Sequence, residues 1–166
     1  MAAPGELPGG LGPRKAAADD IGVPRERARL AFRGAADMAA AFTELADLRL
    51  EQALAAMDLP AMKIRQRIRT AVWTRLAQAE PFEEAVRRAL AILSLPMNAG
   101  LAARTLWRTA DTMWSAAGDR STDYNHYTKR AILSAVYSAT LLVWLNDESE
   151  GKADSAAFLD RRIDGV

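Results

Sequence analysis

Residues 131–145 read AILSAVYSATLLVWL, a run that is apolar on nearly every side of a helix. A helix of that kind is either the centre of a bundle or a membrane segment. Fifteen residues rise only about 22 Å at 1.5 Å each, short of the roughly 30 Å of a hydrocarbon core. Lys129-Arg130 on one side and Asn146-Asp147-Glu148 on the other block any extension. The run therefore predicts the central helix of an all-α bundle. Small residues (Ala131, Ser134, Ala135, Ser138, Ala139) alternate in it with Tyr137, Leu141 and Trp144. That mixture serves either close helix packing or the lining of an apolar tunnel, and the pattern is compatible with both.

The flanking sequence supplies helices to surround it. Asp37–Met57 carries Met38, Phe42, Leu45, Leu48 and Leu54 near a three-four spacing. Ala61–Ala79 follows the turn at Pro60, with Ile64, Ile68, Val72 and Leu76 as its stripe. Lys63, Arg65, Arg67, Arg69 and Arg75 cover the rest of it. This basic face is expected to be solvated and paired with acids on neighbouring helices, the alternative being a contact with acidic headgroups or phosphate. Pro81 opens a helix with Glu83 and Glu84 in its first turn, where the macrodipole favours acids, and Phe82, Val86, Leu90 and Leu93 form its stripe. Asn98 precedes Ala99–Ala117, with Ala103, Leu106, Ala110, Met113, Trp114 and Ala117 on one side and Gly118 as the stop. Tyr124–Leu145 and Ala153–Ile163 complete the set. No strand-like alternation is present.

Composition agrees. The 166 residues hold 22 Lys+Arg against 21 Asp+Glu, one His and no Cys. Disulfides, thiolate metal sites and Cys nucleophiles are excluded, and a lone His126 cannot build a two-imidazole or di-iron site. Glu83-Glu84 and Asp19-Asp20 read as helix-end charges rather than an acid/base pair. No catalytic constellation and no cofactor motif emerge, so a non-enzyme is expected. The net charge of +1 gives no global attraction to nucleic acid or anionic lipid.

The chain divides into a leader at 1–15, with three of its seven Pro and four of its ten Gly, then residues 16–36 and a bundle at 37–166. The leader composition predicts disorder. Residues 16–42 hold two short helices separated by Gly22-Val23 and closed by Gly34, resembling the second half of a TetR-type helix-turn-helix. Arg25, Arg27 and Arg29 would meet phosphates there. The head's first helix has no counterpart in the Pro/Gly leader, so the segment is expected to be a relic without nucleic-acid binding. A ligand-responsive TetR-like transcription regulator is the alternative function, and a solid helical scaffold is a third.

Residues 117–130, AGDRSTDYNHYTKR, form a polar string that helix packing does not demand. With Asp111–Ser115 before it, Ala131–Asn146 after it, and Phe158-Leu159-Asp160-Arg161-Arg162-Ile163, it resembles the ninth COQ protein family of ubiquinone biosynthesis, as does Leu90–Pro96. The resemblance runs from about Ala16 to the end of the chain. It implies a TetR-like fold, a homodimer, and an accessory role beside the di-iron demethoxyubiquinone hydroxylase. It also implies a position peripheral to the inner membrane, in a bacterial cytoplasm or a mitochondrial matrix. The ligand it implies is an isoprenoid quinone intermediate or a phospholipid, in a pocket to which we assign Leu90, Leu93, Leu106, Trp114, Val136, Tyr137, Leu141 and Trp144. The hydroxylase-binding patch it implies is Asp111, Met113, Asp123, His126 and Tyr127, with Arg130 nearby. His126 stands where relatives commonly carry Trp, and the family's C-terminal amphipathic helix has no counterpart before Val166.

Overall fold

The computed structural model describes residues 32–119 and 124–164. The expected leader, the short helices before Gly34 and Arg25, Arg27 and Arg29 lie outside them. Six helices carry the described chain: α1 (Ala35–Ala55), α2 (Ile64–Ala79), α3 (Glu83–Leu93), α4 (Ala99–Ala116), α5 (Tyr124–Leu145) and α6 (Ala153–Asp164). No strand occurs among the described residues. Single 3-10 turns with Pro in their first two positions (Leu59–Ala61, Glu80–Phe82, Pro96–Asn98) link the first four helices, since Pro fits the first turn of a helix and stops a preceding one. The chain bends by 91° between Ile64–Leu93 and Pro96–Ala116, which lays α4 across the path of α2 and α3.

Packing runs round the molecule from α1 to α2, α6, α5 and α4 and back to α1, with α3 laid against α1. The core is Leu50 and Leu54 of α1, Ile68, Val72 and Leu76 of α2, Met113 of α4, Leu133 and Trp144 of α5 and Leu159 of α6. The expected stripes of α2 and α3 are turned inward in their middle, but their first residues, Ile64 and Phe82, are exposed. The inner face of α1 differs from the expected one. It is Ala39, Asp47, Leu50 and Leu54, while Leu45 and Leu48 are exposed. Charged Asp47 sits where an apolar residue would be sought, and hydropathy alone pointed to its neighbours.

The apolar helix α5 is not wrapped on all sides. Leu133, Val136, Tyr137, Thr140 and Trp144 are buried, but Ile132 and Leu142 are exposed on its other face. Its C-terminus is tied down by cations, as the helix dipole favours. Arg87 of α3 donates to the Leu145 carbonyl, and Lys152 Nζ donates to those of Trp144 (3.2 Å) and Asp147 (2.8 Å). Asp147 then starts α6 by accepting the Ser155 N–H at 2.8 Å, together with the hydroxyls of Ser149 and Ser155. Those hydroxyl bonds, with the Ser149 and Ser155 N–H groups, hold its carboxyl well below the usual carboxylate range. No single described helix is long and apolar enough to cross a membrane.

The register of α1 is directly testable. Leu50→Ala is expected to cost about 2–5 kcal/mol in urea unfolding, whereas Leu48→Ala, at 52 % exposure, stays within about 0.5 kcal/mol. Equal costs would mean that the inner face is misassigned.

Candidate functional site

A cavity of about 300 Å³ lies between α1, α3, α4 and α5, with Arg75 and Ala79 of α2 completing its wall. Phe42 and Thr43 enter from α1, Leu90 and Leu93 from α3, Leu106 and Thr109 from α4, and Tyr137 and Leu141 from α5. Its wall is largely aliphatic, and exposed Leu142 and Ser94 mark a rim where it opens to solvent. Of the residues assigned to the pocket from sequence, Leu90, Leu93, Leu106, Tyr137 and Leu141 are brought together here. Trp114 and Val136 line a separate groove of about 180 Å³ with Ile64, Ile132 and Ile163. Trp144 lines neither and is a core residue, its ring covered by the Lys152 ammonium at 5.0 Å. The tunnel and close-packing alternatives thus divide α5 between them: Tyr137 and Leu141 face space, while Leu133 and Trp144 are packed.

Sequence reading missed the polar end of this cavity. Arg75 belongs to the buried face of α2 rather than to its solvated basic face, and its Nε donates to Asp47 Oδ1 at 3.3 Å. Thr109 Oγ1 donates to the same carboxylate at 3.0 Å, and Arg108 lies 3.5 Å from it. Burial pushes the Asp47 carboxyl up, against the pull of Arg75 and Thr109. The signal was available. Residue 75 stands seven after Ile68 and three after Val72, on the apolar stripe itself. The other basic residues of α2 do behave as a paired face: Arg69 bonds Asp160 in a bidentate pair, and Arg67 donates to the carbonyls of Met62, Pro60 and Ala117.

The second assigned surface lies where α4 ends and α5 begins. Gly118 has φ +89, a conformation that side chains rarely adopt, and reverses the chain after α4. Asp119 then meets Lys129 Nζ at 2.9 Å and Arg130 Nη1 at 3.2 Å, and Arg130 Nε reaches Asp111 at 2.5 Å. Trp114 Nε1 donates to the Lys129 carbonyl at 2.9 Å. Two assignments are corrected by this geometry. Met113 is 0 % exposed, because its position on α4 follows Thr109 and Ala110 into the core, and Arg130 is buried in its ion pairs. Neither side chain is presented at the surface. Asp111 and His126 are half-buried, Tyr127 is 61 % exposed beside Trp107 (ring centroids 6.1 Å apart), and Asp123 lies outside the described residues. Tyr124, 84 % exposed, extends the same aromatic patch and was not singled out from sequence. Among the described residues no group of three or more His, Asp or Glu is placed to hold a metal ion.

A helical bundle of this topology, hollow between its helices, is a TetR-like fold. The TetR transcriptional regulator from Nitrosomonas europaea superposes with a TM-score of 0.73 over 92 % of this chain and 84 % of that one, at 20 % identity, a likeness of fold alone. Within that class, residues 99–166 match the family described as COQ9, a narrower span than the resemblance from Ala16 onward. The mitochondrial ubiquinone biosynthesis protein COQ9 of Rattus norvegicus is 46 % identical over 101 residues, 61 % of this chain and 32 % of the rat protein. That of Homo sapiens is 45 % identical over 101 residues with the same shares, 61 % and 32 %. The probable Dictyostelium discoideum protein is 28 % identical over 108 residues, 65 % of this chain and 35 % of its own. The chain therefore spans about a third of the length of these relatives.

The corner between α4 and α5 is expected to be structural first. Arg130→Ala leaves Asp119 buried without one of its partners and is expected to cost about 3–5 kcal/mol. A denaturant midpoint unchanged from wild type would contradict this account of the motif.

Proposed function

We propose that the protein is a non-enzymatic, lipid-binding accessory protein of ubiquinone biosynthesis. It takes an isoprenoid quinone intermediate or a phospholipid into the cavity between α1, α3, α4 and α5 and serves the di-iron demethoxyubiquinone hydroxylase. The observation that carries the reading is the cavity itself, about 300 Å³ and mostly aliphatic, in a chain whose residues 99–166 match COQ9. Burying apolar ligand surface there is worth roughly 25 cal/mol per Å² removed from water, which suits a hydrocarbon tail. The names of the relatives support the pathway and, for a eukaryotic chain, a mitochondrial location. In the proposal the protein works as a homodimer at the inner membrane surface. Exposed Met97 and Leu95 suit contact with lipid.

Ala102 lines the cavity and is only partly buried, so a large side chain there fills the space without opening the core. Ala102→Trp is expected to weaken binding of a short-chain ubiquinone at least tenfold while the thermal midpoint stays near wild type. Unchanged binding in a folded variant would remove the cavity from the mechanism.

We place the hydroxylase at the patch of exposed Tyr124 and Tyr127, with half-buried His126 packed edge-on against Tyr127. Aromatic anchors of this kind dominate interface energetics. Tyr124→Ala with Tyr127→Ala is expected to reduce hydroxylase capture at least tenfold and leave short-chain ubiquinone binding intact. Full capture by the double variant would place the partner elsewhere.

A further inference from the structure

The main cavity ends in hydrogen-bond donors that have nothing of the protein to donate to. Arg75 is 5 % exposed and Tyr137 7 %, and both line the cavity. The bond from Arg75 Nε to Asp47 is the guanidinium's only hydrogen bond among the described residues, so its two amino groups are uncommitted. The Tyr137 hydroxyl makes no hydrogen bond among the described residues either. None of these atoms is among those sealed away without a partner, which are Gln78 Oε1, Arg108 Nε and Nη2, and Ser134 Oγ. Both residues line the main cavity, and Arg75 also borders a smaller hollow with Phe42, Gln78 and Phe82. A donor against so apolar a wall is unfavourable if left unmet.

The charge of the cluster decides what they suit. Arg75 faces Asp47, and Arg108 lies 3.2 Å from Glu44 and 3.5 Å from Asp47, so two guanidiniums meet two carboxylates. No net positive charge is left for an anion. Burial also pushes the Tyr137 phenol up, which keeps its proton in place as a donor. The size of the space adds a second constraint. A cavity of about 150 Å³ holds benzene. One of about 300 Å³ holds a substituted ring or a lipid's polar neck with a short stretch of chain, and a longer tail must leave over the rim at Leu142 and Ser94.

We propose that the Arg75 amino groups and the Tyr137 hydroxyl bind a neutral carbonyl oxygen of the ligand, a quinone or an ester carbonyl, at the inner end of the cavity with the tail directed outward. This rests on the reading of the cavity as a lipid site. The oxygen-bearing end is then the innermost part of the bound molecule, and transfer to a partner enzyme withdraws it by the way it came. Asp47 positions Arg75 and does not touch the ligand.

The full chain is titrated with four probes: a benzoquinone bearing one isoprene unit, ethyl decanoate, decanoate, and the carbonyl-free hydrocarbon diphenylhexatriene. Tyr137→Phe and Arg75→Met are each expected to weaken the carbonyl probe that wild type binds about tenfold, the size of one lost charge-assisted or buried bond. Diphenylhexatriene should stay within about twofold. A loss confined to the quinone identifies a ring carbonyl as the natural acceptor, and a loss confined to the ester identifies an acyl lipid. Should Arg75→Met fail to fold, Tyr137→Phe alone decides. Carbonyl probes bound equally by wild type and Tyr137→Phe would overturn the anchor, as would decanoate binding tightest of the four. Failure of wild type to bind any probe would instead overturn the lipid-cavity reading itself.

Discussion

Asp47 is a carboxylate buried among helices, and the arrangement of α1, α2 and α4 depends on how it is satisfied. Taking such a charge out of water costs several kcal/mol unless partners meet it, and burial raises its carboxyl accordingly. Arg75 comes from α2, while Thr109 and Arg108 come from α4. Each partner reaches Asp47 only if its helix keeps one rotation and one height. The cluster therefore acts as a register pin for three helices whose Ala-rich faces would otherwise slide. It also keeps a polar, hydrogen-bonding wall beside Leu90, Leu106 and Leu141, where a purely aliphatic lining would be freer to collapse onto itself.

The corner between α4 and α5 repeats this logic at the other end of α4. Gly118 supplies a backbone conformation that other residues adopt only with strain, and Asp119 with Arg130 and Lys129 closes the reversal. Within the polar string that stands out in the sequence, Gly118, Asp119, Lys129 and Arg130 thus build a helix corner. Its aromatic residues are a separate matter: Tyr124 is exposed, and Tyr127, though 61 % exposed, rests its ring beside Trp107 of α4. A motif of this kind mixes structural and surface positions. Met113 and Arg130 are structural, and Tyr124 is not.

Much of the fold was legible in the chain. Pro60, Pro81 and Pro96 mark the breaks, and the ends of α4, α5 and α6 fall within a residue of where caps and Gly118 put them. The inward face of α1 was not legible, because a hydropathy stripe cannot nominate Asp47, and Leu45 and Leu48 are exposed despite their type. Five of the eight assigned cavity residues converge. Trp144 does not, since an apolar helix shows which residues avoid water but not which of them meet a neighbour and which meet space. Arg75 was discounted for its charge although its spacing placed it on the buried stripe. Partner surfaces are the least legible of all, because their physics is completed by a molecule that the sequence does not contain.

Native mass spectrometry of the protein, purified from cells without detergent, tests the central claim most directly. The account predicts a bound apolar molecule, one per chain, that on ejection proves to be an isoprenoid quinone intermediate or a phospholipid, and that is absent from Ala102→Trp. A folded wild-type protein that carries no such molecule, and takes up none when incubated with vesicles containing ubiquinone, would contradict it.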